Sequence, residues 1–356
     1  MKTRIDTVDG DIRIIYHQQL CRRCVLPETF PDISFDARGV CSYCNDECER
    51  ITAGQVALTD AVRSALAGAA PERAYDCLVL YSGGKDSSLA AKVARRDLGL
   101  RVLAFTLDNG YLSADTSRNM ERVLDALGID HIRFRPPARL MQPLYRTSMQ
   151  LDFQADTTKY ATGGCGSCIS MVLAGGLRFA AAHSIPLLVG GWTPGQFTTS
   201  PLVSVSFLRT VIKRHFDPLA VESSSLAEHL ESWRHSTGEA GTPAGLLNPL
   251  YGTEYSEADT IRQLSDLGWS PPRDTDSCST NCRLNGLLIL DHVKRYGFHP
   301  YVYELAHHVR LGALTRAAAL EKMSCIGVRP ENVDNVAEEL GVPSVLTPQR
   351  KGSLHV

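Results

Sequence analysis

No apolar run long enough to span a bilayer is expected from the sequence, and its first twenty residues, MKTRIDTVDGDIRIIYHQQL, lack the apolar centre of a signal peptide. Neither absence gives a reason to place the chain outside the cytoplasm, so a cytoplasmic protein without membrane contact is the expectation. A basic excess is lacking too: 37 Lys and Arg against 39 Asp and Glu leave a net charge of −2. That balance excludes a broad face built to grip nucleic-acid phosphates, though not a local basic patch. There is no internal repeat. What the chain does have is length, 356 residues with 44% hydrophobic and 21% charged side chains, and eleven cysteines. The length suffices for a large domain with a smaller one attached. Without an export signal the cysteines read as metal or redox chemistry, because cytosolic thiols are kept reduced.

Three regions follow from the pattern. Residues 1–50 are a short strand-rich lead-in and a cysteine-punctuated module. Residues 51–283 alternate strands and helices. The strands are expected at Cys77 to Tyr81, RVLAFTLDNG, HIRFRP and PLLVGGW, with helices near 59–70, 87–99, 117–128, 138–150 and 169–183 between them. Alternation of this kind implies right-handed crossovers and a doubly wound, mostly parallel sheet, with ligands at the carboxyl ends of its strands. A stretch rich in Ser, Glu, Gly and Ala from about 219 to 245 reads as a helical excursion or a mobile insertion. Ser256 then caps a helix with Glu257 and Asp259 in its first turn. Residues 284–356 carry helices near 284–296, 300–311 and 315–324, a helical C-terminal appendage.

The turn YSGGKDSSL, Tyr81 to Leu89, leaves the first of these strands. Gly83 and Gly84 let successive amides converge on an anion, the following helix points its positive end there, Ser82, Ser87 and Ser88 add hydroxyls, and Lys85 adds charge. The spacing is not that of the P-loop of kinases and GTPases. It resembles the PP-loop of the N-type ATP pyrophosphatases, with their adenine nucleotide α-hydrolase-like fold. That resemblance covers roughly residues 76–200 and implies ATP cleaved to AMP and pyrophosphate while a substrate oxygen is adenylylated. It further implies Asp86 as support for Mg2+, Thr106 and Asp108 of TLDNG beside adenosine, and Gly190 of GGW on the nucleotide side. The alternative for these last positions is loop-forming Asp and Gly at strand ends.

CRRC at 21–24 and CSYC at 41–44 are two C-x2-C knuckles separated by sixteen residues. The spacing is that of a zinc ribbon, and Cys21, Cys24, Cys41 and Cys44 would close a structural Zn2+ site. Cys48 reads as a bystander, and Cys77 and Cys325 as small core residues. His307 and His308, with no ligand at metal spacing, read as solvated or partly buried.

GCGSC at 164–168 and DSCSTNC at 276–282 form a third set. Cys165 and Cys168 open a helix, which favours thiolates. The residues alone leave open a [4Fe-4S] cluster, a second zinc site, a redox disulfide or separate core cysteines. CGSC, then IPLLVGG, then NPLY at 248–251, then a late Cys, is similar to the tRNA 2-thiolation enzymes of the PP-loop superfamily. That likeness implies a [4Fe-4S] cluster held by Cys165, Cys168 and either Cys278 or Cys282, with one iron open to carry sulfide. Catalytic roles would then fall to Asp86, Cys165 and Cys168.

Both ends resemble another branch. CRRCVLPETFPDISFDARGVCSYC and RYGFHPYVYELAHHVRLGALTRAAAL are similar to the N-acetyl sugar amidotransferases, PP-loop enzymes that replace an acetamido oxygen with nitrogen. The favoured reading is ATP-dependent replacement of oxygen by sulfur on a sugar-like or other small acceptor, with a sulfur donor. The alternative is amidotransfer with a glutaminase partner. A third reading is a non-catalytic nucleotide-binding subunit that presents its ribbon to a partner, against which the intact turn argues. A tRNA acceptor is disfavoured by the near-neutral charge, and a homodimer is the assembly expected.

Overall fold

The computed structural model describes residues 3–45, 55–70, 72–154, 157, 159–196, 200–235, 243–252 and 255–346; Cys48 lies outside them. The lead-in is a hairpin of β1 (Thr3–Val8) and β2 (Asp11–Tyr16), in register from Thr3 opposite Tyr16 to Val8 opposite Asp11. The cysteine module follows, with a single helical turn α1 (Ser42–Asn45), and then α2 (Gln55–Leu66).

The central sheet is built from β3 (Cys77–Leu80), β4 (Val102–Leu107), β5 (Asp130–Phe134), β6 (Leu188–Val189), β7 (Leu202–Val203) and β8 (Leu246–Leu247). Its order is β5-β4-β3-β6-β8-β7, parallel throughout except for β7 at the edge. Successive strands run outward from β3 to β5, and the order then reverses across β3 to continue with β6. This is the doubly wound arrangement expected. Its switch point lies between β3 and β6, where loops on either side part and leave a crevice.

Both faces are covered, as the apolar runs in β3 and β4 require. Leu78, Leu80, Leu103 and Phe105 join one core with α5 (Ala138–Gln150), α6 (Gly163–Ala182) and α7 (Val205–Glu222). Cys77, Val79, Val102 and Ala104 join the other with α3 (Lys85–Lys92), α4 (Ala114–Leu127) and α9 (Glu257–Ser265). Among the described residues α6 is long and apolar enough to cross a membrane, contrary to the expectation that no such run exists. The run is interrupted only by small residues and one Arg, which is why it escapes the eye. It is a core helix, packed on α5, α7 and β3.

The segment from 219, open between a helical excursion and a mobile insertion, is helical as α8 (Ser224–His235). Leu226, Leu230 and Trp233 are buried in the main core, which holds it in place; 236–242 lie outside the described residues. At the C-terminus, α10 (Leu284–Tyr296) and α13 (Pro330–Leu340) pack into the main core. By contrast, α11 (Val302–Leu311) and α12 (Arg316–Ser324) pack with Val25, Leu26 and Phe30 of the cysteine module. Helix α13, entered through Pro330 at its first position, is an element the sequence pattern did not yield.

Candidate active site

The turn after β3 forms as its glycines require. Gly83 has φ +74, and a Cβ on it would stand 2.7 Å from Met120 Cγ. Helix α3 begins at Lys85, two residues earlier than its sequence suggests, with Gly84 as an N-cap that supplies no side-chain oxygen. Gly84 thus leaves the first-turn amides uncapped from its own side chain, with a helix dipole behind them. Ser82 Oγ and Ser87 Oγ lie 3.0 Å apart at the rim.

A cavity of about 420 Å³ opens from this turn, within the range of small-molecule sites. Ser82, Gly84, Asp86 and Ser87 line one end, with Cys278 beside them; Cys165, Cys168 and Cys282 line the other. Between them the wall is apolar and aromatic, including Leu107, Tyr145, Trp192 and Tyr301. Six predicted residues, Gly83, Ser88, Thr106, Asp108, Gly190 and Lys85, do not line it. Ser88 is wholly buried against Tyr81, Oγ to Oη 3.2 Å, because one step along the helix turns it to the core. Thr106 donates to Tyr81 O at 2.6 Å, and Asp108 pairs with Arg133 at 2.9 Å. Strand alternation puts Leu107 and Asn109 on the cavity wall in their stead. Gly190 serves the sheet, its N–H donating to Leu247 O at 2.9 Å, and its neighbours Gly191 and Trp192 line the cavity.

Lys85 is the last of the six. Its Nζ turns away from the crevice, to Asp86 Oδ2 at 3.0 Å, Cys278 O at 3.3 Å and Glu257 Oε1 at 3.8 Å. Burial pulls its pKa down, but Asp86, Glu257 and Glu304 outweigh burial and hold it above the ordinary lysine value. The lysine thus braces the loop instead of offering its charge to an anion in the cavity. Tyr255 Oη donates to the other oxygen of Asp86 at 2.6 Å.

Loop 276–282 is strapped over the turn. Lys85 N donates to Thr280 Oγ1 at 3.2 Å, and Asp276 Oδ1 caps the amides of Cys278 and Ser279 at 2.8 and 2.9 Å. This brings Cys282 to the cysteines of α6, where Asn109 Nδ2 lies 3.3 Å from Cys282 Sγ and 3.9 Å from Cys168 Sγ. Cys165 donates its S–H to Asn285 Oδ1 at 2.9 Å. Cys278 stands on the Lys85 side. Burial raises all four thiols, Cys278 and Cys282 to about 12, so they stay protonated until a metal takes the proton's place. Three thiols along one wall, none paired with a basic side chain, fit the thiolate set of an iron–sulfur cluster. Asn109, Asn285, Tyr255 and His215, whose ring lies against Gly166, had no sequence signal beyond being polar residues in or near quoted loops. Asn248 of NPLY holds the loop after β6, its Oδ1 accepting from Trp192 N at 3.2 Å.

In the N-terminal module Cys21, Cys24, Cys41 and Cys44 are buried with all four sulfurs within 4.8 Å of one another. The Sγ pairs 21–44 and 24–41 are 3.9 and 3.7 Å apart. A tetrahedron with Zn–S bonds of about 2.3 Å has edges of about 3.8 Å, so the set fits zinc. Arg316 donates to the carbonyls of Cys21 and Cys24, bringing a positive charge to the module from α12.

The site so defined is a Gly- and Ser-rich turn at the switch point of a doubly wound sheet, lining one cavity together with four thiols. No family model matches the chain. An uncharacterized protein of Methanocaldococcus jannaschii is 24% identical over 266 residues, 75% of this chain and 77% of that protein. Among solved structures, the U34-tRNA thiolase NcsA of Methanococcus maripaludis with its [4Fe-4S] cluster aligns with 85% of this chain and 88% of its own, at 14% identity and a TM-score of 0.34. The NH3-dependent NAD synthetase of Campylobacter jejuni aligns with 62% of this chain and 96% of its own, at 14% identity and a TM-score of 0.30. Likenesses at such scores carry no weight below, where the chain's own residues decide.

Proposed function

We propose that this chain is an ATP-using enzyme of the PP-loop type that adenylylates an oxygen of a small acceptor and replaces it with sulfur. The observation that carries the reading is the single cavity lined at one end by Ser82, Gly84 and Ser87 and at the other by Cys165, Cys168 and Cys282. The amides and hydroxyls of the turn hold the leaving pyrophosphate and spread its charge. Asp86, held on both oxygens, stands at the same end for Mg2+. The apolar wall between excludes water, so that the adenylylated oxygen is not lost to hydrolysis. Cys165, Cys168 and Cys282 would hold a [4Fe-4S] cluster, with Cys282 the third ligand because it shares Asn109 with Cys168 while Cys278 faces Lys85. Such a cluster, when bound, supplies an open iron that carries sulfide. A small, sugar-like acceptor is favoured over a tRNA by the near-neutral net charge of −2.

The test is anaerobic purification and reconstitution, followed by iron, sulfide and zinc analysis and ATP–pyrophosphate exchange. About four irons, one zinc and a broad absorbance near 400 nm are expected. Zinc alone, with ammonia supporting turnover, would sink sulfur transfer in favour of amidotransfer.

A further inference from the structure

The amide of Asn109 has only one orientation. Its Oδ1 accepts from Tyr111 N at 2.9 Å, closing a turn at the end of β4, so its Nδ2 is the end aimed at Cys282 and Cys168. Flipping the amide would set an NH2 against the Tyr111 N–H and a carbonyl against two sulfurs. Asn109 is buried, and Cys168 and Cys282 are partly buried. The neighbouring amide is fixed in the opposite sense. Asn285 Nδ2 donates to Asp276 Oδ2 at 2.9 Å and to Tyr301 Oη at 3.1 Å, leaving Oδ1 toward Cys165. Two of the three sulfurs therefore receive an N–H and the third faces an acceptor.

We infer that Asn109 is a positioning residue of the cysteine wall, donating N–H···S hydrogen bonds to Cys168 and Cys282 that set the reduction potential of a cluster held there. The inference rests on the iron–sulfur reading above. Hydrogen bonds to ligand sulfurs withdraw electron density and favour the reduced cluster, and groups behind the ligands tune a metal centre. Asn109 also lies two residues past β4, on the cavity wall. One side chain thus joins the end of a central strand to the sulfurs.

The experiment is a redox titration, followed by electron paramagnetic resonance, of the reconstituted full chain and of two variants. Asn109→Asp keeps the acceptor for Tyr111 N but loses the N–H; Asn109→Leu loses both without adding charge, and Asn109→Ala stands in for it should that chain not fold. The expected result is an unchanged iron content with a midpoint potential more negative than wild type in the aspartate and the neutral variants alike. A shift in Asn109→Asp alone would be a charge effect and overturns the inference, as does an unmoved potential in both. A wild-type chain that assembles no cluster overturns the functional reading and this inference together; a cluster with an unmoved potential overturns this inference alone.

Discussion

Tyr255 Oη donates to Asp86 Oδ1 at 2.6 Å, from the loop that leads into α9 to the first turn of α3. The bond joins a phenol to a carboxylate, a charge-assisted contact whose loss costs roughly 1.5–3 kcal/mol. With Lys85 on the second oxygen, it fixes the carboxylate in one plane at the cavity rim. Tyr255→Phe should release that plane without opening the turn. We expect the Mg2+ concentration giving half-maximal ATP–pyrophosphate exchange to rise about 5–10-fold, the equivalent of roughly 1–1.4 kcal/mol. An unchanged magnesium dependence would remove Asp86 from the metal's surroundings.

Gly166, between the two cysteines of α6, is where His215 of α7 packs. A Cβ on residue 166 would stand 2.1 Å from His215 Nε2, and the ring cannot retreat because its Nδ1 lies 3.1 Å from both Val211 O and Ser170 Oγ. Gly166→Ala should therefore destabilise the chain by about 1–3 kcal/mol, as overpacking does. His215→Ala in the same chain should recover most of that loss, a coupling that a thermodynamic cycle in urea measures directly. Additive losses would mean the two residues do not share this contact.

What was legible in the sequence is what is local. The Gly and Ser of the turn, the strand before it and the helix after it declare a glycine turn at a helix start within a dozen residues, and the spacing of the C-x2-C knuckles declares a group of four sulfurs. The direction of Lys85 is not local, since the residues that capture it, Glu257, Glu304 and the carbonyl of Cys278, arrive from more than 170 positions downstream. Whether Thr106 and Asp108 or their neighbours face the cavity is one step of strand alternation, which depends on where β4 ends and not on which residues compose it. That Cys282 shares Asn109 with Cys168 needs the strap of loop 276–282 across the turn, a relation of tertiary packing alone.

Two histidines make stability depend on acid. His292 and His299 are buried, and burial foremost holds both near a pKa of about 3. A base with a depressed folded pKa is neutral in the fold and takes a proton more readily when unfolded. Its contribution is present above the unfolded value of about 6.5 and is lost as pH falls toward 3. Each histidine should remove roughly 1–2 kcal/mol by pH 5. Asp291, which burial pushes up to about 6, acts the other way: its carboxyl costs stability above about pH 4 and that cost is relieved on acidification. Urea titrations at pH 7.5 and pH 5 should show a net loss at pH 5 that is smaller in His292→Phe and larger in Asp291→Asn. Equal losses in all three chains would contradict the assignment.

The cysteine module supports more than itself. Phe30 stacks on Tyr303 with centroids 5.7 Å apart and meets Phe298 edge-on at 5.3 Å, so the packing of α11 depends on the chain between the two knuckles. Tyr160, which lines the cavity, meets Tyr303 edge-on at 5.2 Å, and Lys159 beside it pairs with Asp32 of the module at 2.7 Å. Loss of the ion would loosen that wall from behind. Cys41→Ser should abolish the zinc while leaving α/β secondary structure by circular dichroism, and lower Tm by roughly 5 °C or more. ATP–pyrophosphate exchange should weaken through a higher KM for the acceptor, because the turn proposed to hold pyrophosphate lies on the sheet and not on the module. A fall in exchange with an unaltered acceptor KM would instead tie the metal to the nucleotide end.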